Sequence, residues 1–138
     1  MLKLLSYNHI KEVDMDKEML VKVGKYLFAV PFLVFGLFHL TDAQGLAGLV
    51  PGFIPGGVFW VYLTGLAFLA AAVSVIIDKK VKLAMQLLAL MLLIFVLTIH
   101  VPAVMNDMSA ATNLLKDLAL AGGALLVASL DKEVGSEG

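Results

Sequence analysis

A chain of 138 residues that is 61% hydrophobic and 15% charged lacks the polar faces of a soluble helical bundle, and it reads as one membrane domain. With no cysteine it has no disulfides, thiolate zinc sites, iron–sulfur ligation or CxxC redox chemistry, which separates it from four-helix membrane reductases that work through paired thiols. The net charge of −1, with no basic patch beyond short connecting loops, excludes nucleic acid as a partner.

Residues 1–21 form a polar N-terminal segment whose main apolar points are Leu2, Leu4, Leu5 and Ile10. An interfacial helix and a loosely held tail fit this pattern equally. The segment lacks an apolar signal core and carries both signs of charge, so the first span itself is expected to act as an uncleaved signal. Residues 22–130 form the four-helix transmembrane domain, built on the apolar runs Tyr26–Leu40, Val58–Ile77, Leu83–Val101 and Leu114–Leu130. A spanning helix needs about 20 mostly apolar residues, which the second and third runs meet outright. The first is short, but Lys22 and Lys25 can snorkel at its beginning, and Pro31 predicts a bend near Leu27. The fourth carries Lys116 and Asp117 in its first turn. Between the first two runs, Thr41–Gly57 is apolar yet broken by five glycines and two prolines, which suits a lid folded back on the bundle mouth better than a solvated loop. Residues 131–138 are a polar tail.

Lysines set the orientation. Lys3, Lys11, Lys17, Lys22 and Lys25 precede the first run, and Lys79, Lys80 and Lys82 lie between the second and third. Thr41–Gly57 and Pro102–Asn113 contain no Lys or Arg. The positive-inside rule then predicts an all-α, integral-membrane four-helix bundle, N-in and C-in, with an apolar outer cap between helices 1 and 2. Both terminal segments are cytoplasmic in this scheme, and a prokaryotic plasma (inner) membrane is the expected location.

Small-residue stripes predict the buried faces. They run through Trp60, Thr64, Ala67, Ala71 and Ser74, through Gln86, Ala89, Leu93, Val96 and His100, and through Asp117, Ala121, Ala124 and Ala128. In this orientation His39, Trp60, His100, Lys116 and Asp117 share one outer depth, contributed by all four spans. Ionisable groups at such depths face the bundle or a watery cavity, so the five are the candidate ligand-binding residues. The structural alternative is plain: both histidines sit near helix C-termini and Asp117 near an N-terminus, where the helix dipole favours them. Lys116 is disfavoured there and needs a partner, drawn from Asp117, Asp107, Asp42 or an anionic ligand. Two histidines with Asp117 could hold a divalent ion, but no HxxxH or ExxH spacing supports it, and no metal is assigned. Two axial histidines could hold a b-type haem. A quinone-like headgroup suits the set better: His and Lys would donate to its carbonyls, Trp60 would flank its ring, and the imidazoles could relay protons.

The segments G-L-F-H-L at Gly36–Leu40, V-P-G-F-I-P-G-G-V-F-W-V-Y-L-T-G at Val50–Gly65, I-H-V-P at Ile99–Pro102 and K-D-L-A-L-A-G-G-A at Lys116–Ala124 resemble DoxX-like membrane proteins, over roughly residues 22–130. The resemblance implies a four-span bundle and association with membrane redox complexes, including a thiosulfate:quinone oxidoreductase. It assigns catalysis to no residue. The expected function is therefore a small membrane subunit that binds a quinone or similar lipid-soluble ligand in support of an oxidoreductase partner, or acts within a homo-oligomer. An assembly scaffold is the alternative, and a small-molecule or ion transporter the third reading. Paired broken helices in repeated halves, the usual sign of a transporter, are not evident.

Overall fold

A computed structural model of the protein describes residues 1–131, so the expected tail at 131–138 falls almost wholly outside the described residues. The described chain is helical, with α1 at Leu2–Thr41, α2 at Ala43–Leu46, α3 at Gly57–Ile76, α4 at Val81–Phe95, α5 at Val101–Asn106 and α6 at Ala111–Leu130. Among the described residues there is no strand. Four helical stretches are long and apolar enough to cross a membrane: Leu2–Thr41, Gly57–Ile76, Val81–Asn106 and Met108–Leu130. The protein is a multi-pass membrane protein built as a helical bundle.

The first span is not short. α1 runs through residue 21 and through Pro31 without a break, about 60 Å at 1.5 Å per residue. Its N-terminal half stands clear of the bundle, with Leu2–Leu20 exposed. Lys25 Nζ pairs with Asp78 Oδ1 of the α3–α4 turn at 3.4 Å. That turn passes through left-handed residues Asp78 and Lys80, and Ser74 Oγ donates to the Lys79 carbonyl within it. At the same end the Asp131 carboxylate accepts from the Lys82 backbone N–H at 2.9 Å, so one helix caps the start of another.

The third span differs from its expected form. Pro102 does not end it: the helix continues from α4 through a π-helical turn at Val96–His100 into α5. Pro102 has no N–H to offer the Thr98 carbonyl, and its ring would crowd that oxygen. A widened turn relieves the conflict, and the Val101 N–H bonds to Val96 O, five residues back. The connection to α6 is correspondingly brief. Asp107 accepts from the Ser109 hydroxyl at 2.7 Å and from the Ser109 N–H at 2.9 Å, and these two bonds hold its carboxyl below the usual carboxylate range.

α1 packs along α3, and α4 along α6. The first pair is in backbone contact at Gly36 and Gly65, where a Cβ on either residue would meet the other's carbonyl oxygen at 2.9–3.1 Å. Phe32, Phe68, Val81, Met85, Leu92 and Ala124 belong to the core shared by the two pairs. The expected buried stripe of α6 is the actual one, since Asp117, Ala121, Ala124 and Ala128 are all buried. The other two stripes are rotated from their expected faces. In α3 the buried set is Val61, Gly65, Phe68, Ala71, Ala72 and Val75, and Trp60 is exposed. In α4 it is Val81, Met85, Leu88, Ala89 and Leu92, and Gln86 and Leu93 face outward. Bulky apolar residues such as Phe32, Phe68, Met85 and Leu92 share the core with alanines such as Ala71, Ala72, Ala89 and Ala121.

Ala124 has no exposed surface at all. Ala124→Leu is expected to force α6 from α4 and to lower stability by about 1–2 kcal/mol. Thermal unfolding in detergent checks this; an unchanged midpoint would mean that the core has slack around Ala124.

Candidate functional site

At the end of the bundle opposite the Lys25–Asp78 pair, the helices part around a cavity of about 700 Å³. α1 ends there, α3 and α6 begin there, and the π-helical turn of the third span lies alongside. His39, Trp60, His100, Lys116 and Asp117 all line this one cavity. The structure thus brings together the five residues singled out in the sequence.

His39 is half-buried, and its Nδ1–H donates to the Phe35 carbonyl at 2.7 Å. Its ring stands edge-on to Phe68, centroids 5.2 Å apart. The Cβ of His39 also lies 2.7 Å from where a Gly65 side chain would begin, so the glycine contact fixes the ring's place. His100 Nε2 donates to Asp117 Oδ2 at 2.8 Å, and both side chains are largely buried. His39 fits the helix-end reading, and His100 does not. His39 returns a bond to its own last turn, whereas His100 stands inside a continuous helix and reaches across to α6.

Lys116 has Asp117 as its ion partner, with Nζ 3.8 Å from Oδ1. Asp107 is engaged by Ser109, and Asp42 lies against the backbone of Gly45. Asp117 therefore holds two cationic or donor partners, His100 on one oxygen and Lys116 near the other. The Lys116 side chain remains 51% exposed, so this second contact is the looser one. Among the described residues, no three His, Cys, Asp or Glu side chains gather closely enough to hold a metal ion.

Trp60 lines the cavity but is 41% exposed, and Phe59 meets its ring edge-on. Its indole N–H donates to the Pro55 carbonyl at 2.9 Å. That bond ties the connection Val50–Gly56 to the first turn of α3. Gly56 allows the close return by taking φ +83°, a left-handed conformation that a side chain disfavours. Val50, Pro51 and Ile54 of this connection, with Leu46 and Leu49 just before it, contribute to the cavity wall.

Several lining residues, Thr64 of the expected α3 stripe aside, were not singled out in the sequence. Phe32, Phe35, Phe68, Met91, Leu92 and Leu120 supply apolar wall, and Thr64, Thr98 and Asn113 supply polar groups. Thr98 Oγ1 donates to the Ile94 carbonyl at 2.8 Å, leaving Thr64 and Asn113 with their hydrogen-bonding capacity open among the described residues. The one available clue was the π-helical turn, since Pro102 two residues after His100 forces an irregularity beside the site.

A family model described as a domain of unknown function (DUF8561) matches residues 28–128. No curated protein matches the chain, and no solved structure does.

Proposed function

From a chain that belongs to the DUF8561 family, whose description assigns no activity, we propose on chemical grounds a small membrane subunit that binds a quinone or similar lipid-soluble ring in the cavity, in support of a membrane oxidoreductase. The observation that carries this reading is the composition of one space. A cavity of about 700 Å³ has aromatic and aliphatic walls at Phe32, Phe35, Phe68 and Met91, and it gathers imidazole, carboxylate, ammonium and indole groups. Binding sites for lipid-soluble rings combine a mainly apolar cleft with a few fixed polar groups in this way. The residues fit such a molecule: the apolar wall takes ring and tail, and His39, Thr64, His100 and Lys116 are in reach of oxygen substituents. The resemblance to DoxX-like proteins points the same way. No catalytic step is assigned to any residue.

The reading has a direct test. Gently solubilised protein is extracted into organic solvent, and the extract is resolved by mass while an optical spectrum is taken of the protein itself. A quinone in amounts comparable to the protein, reduced by His39→Ala, is the expected result. An extract with no ring lipid, or a haem spectrum, would sink it.

A second reading has its own support. His39 and His100 are both hydrogen-bonded within the chain, and Lys116 and Asp117 pair with each other. A scaffold subunit whose polar groups merely satisfy one another would look the same at those bonds. It would tolerate replacement of both histidines in the assembled complex, and a ligand site would not.

Orientation follows from the lysines in this proposal: the cavity and its cap face outward, and the Lys25–Asp78 end faces the cytoplasm. Gly48→Cys and Lys80→Cys each give this cysteine-free chain one exposed thiol. Space around Gly48 is open, so the side chain fits. In intact cells an impermeant maleimide is expected to label position 48 quickly and position 80 only after lysis. The reverse pattern would turn the bundle over.

A further inference from the structure

We infer that the cavity selects the hydroxyl-bearing form of its ring ligand, a hydroquinone or other phenol, over the carbonyl form. This rests on the ring-ligand reading above and goes further by naming which chemistry the pocket prefers. The reason lies in the tautomers of the two imidazoles.

A carbonyl oxygen only accepts a hydrogen bond, so the ring nitrogen of His39 that meets Phe35 O at 2.7 Å must carry the proton. In the neutral ring, Nε2 is then a bare acceptor. Asp117 imposes the opposite tautomer on His100. Its carboxylate accepts from Nε2 at 2.8 Å, and in the neutral ring Nδ1 is left as the bare acceptor. One ring N–H of each histidine is thus engaged inside the protein.

Both bare nitrogens are reachable. Among the described residues, no buried side-chain nitrogen or oxygen lacks a hydrogen-bond partner. His39 Nε2 and His100 Nδ1 have no partner, so each must retain accessible surface, and both rings line the cavity. The competing donors are weaker. The Trp60 N–H is held by Pro55 and the Thr98 hydroxyl by Ile94. The Thr64 hydroxyl and the Asn113 amide can each donate or accept and so favour neither form. Lys116 is the one strong donor, and it is half exposed and drawn toward Asp117. Two fixed acceptors on different helices call for two hydroxyl donors on one ligand. A carbonyl placed against either nitrogen sets lone pair against lone pair.

The test uses the full chain in lipid nanodiscs and three probes that share one ring and one decyl chain: a hydroquinone kept reduced, its dimethyl ether, and the matching benzoquinone. Equilibrium binding is read by calorimetry. The hydroquinone is expected to bind about tenfold or more tightly than either of the others, the worth of roughly one buried hydrogen bond. Equal binding of the hydroquinone and its dimethyl ether, or tighter binding of the benzoquinone, overturns the selection while leaving a ring-binding pocket in place. Binding of none of the three overturns both. A second arm uses His39→Gln and His100→Gln, whose amides can turn a donor toward a carbonyl. The gap between hydroquinone and benzoquinone should narrow to about threefold or less in each. A gap unchanged in both variants would take the preference away from the imidazoles.

Discussion

Gly65→Val is expected to separate α1 from α3 and to lower the unfolding free energy by about 3 kcal/mol, the upper end of the usual cost of overpacking. A Cβ at Gly65 would stand 2.7 Å from His39 Cβ, 3.1 Å from Gly36 O and 3.3 Å from a Leu40 methyl. The first two are part of, or fixed directly to, the α1 backbone, so no rotamer change relieves them. In lipid, moreover, apolar burial does not drive helices together; close van der Waals packing does, and glycines at a crossing maximise it. Valine adds a branched side chain where even one carbon does not fit. The site should fail with the packing, because the carbon that must move belongs to His39. Thermal unfolding in detergent and hydroquinone binding are therefore expected to fall together. Gly122→Ala is the matched control, since nothing lies within 4 Å of its added Cβ. A Gly65→Val protein that melts like the control would mean that α1 and α3 are not held at this crossing.

How much of this was legible in the sequence follows from what each residue type reveals. Hydropathy runs gave four spans because crossing a membrane needs little more than length and apolar character. They also missed the true length of two of them. Lys22 and Lys25 marked an expected end to the apolar run, but a helix continues through lysine without penalty, and α1 extends back to Leu2. The third apolar run was expected to close at Val101, and the π-helical turn carried the helix on through Pro102 to Asn106. The candidate site was legible because charged and imidazole groups are rare in spans, and four elements placed them at one depth. The faces of α3 and α4 were not, because small residues identify a close contact only when the opposing helix also offers a small surface. Gly36 opposite Gly65 does so. Across Gln86 and Leu93 no helix packs, and those positions lie outside the core. The tautomers of His39 and His100 depend on which atom lies within 3 Å, and no spacing rule contains that information.

His100→Leu alone is expected to lower stability by about 3 kcal/mol, and His100→Leu combined with Asp117→Leu to bring it back to within about 1 kcal/mol of the parent. The single change removes the 2.8 Å partner of a carboxylate that is only 9% exposed. Lys116 remains, but at 3.8 Å and half in the open it compensates only part of the buried charge. The double change removes the charge together with its partner and leaves an apolar contact between the third span and α6. Asp117→Leu alone lies between these, since it strands one N–H donor on His100, at about 1–3 kcal/mol. Unfolding free energies of the four proteins close a double-mutant cycle, and simple additivity of the two single effects would mean that the pair is not coupled. The same double variant separates the two readings of the cavity. If the bundle is nearly as stable without the pair, the fold does not require it, and its presence needs another reason. Loss of hydroquinone binding in a stable His100→Leu/Asp117→Leu protein would supply that reason, because the acceptor nitrogen and the carboxylate that fixes its tautomer are both gone. Retention of binding would leave the pair as a helix-to-helix tie and put the scaffold ahead.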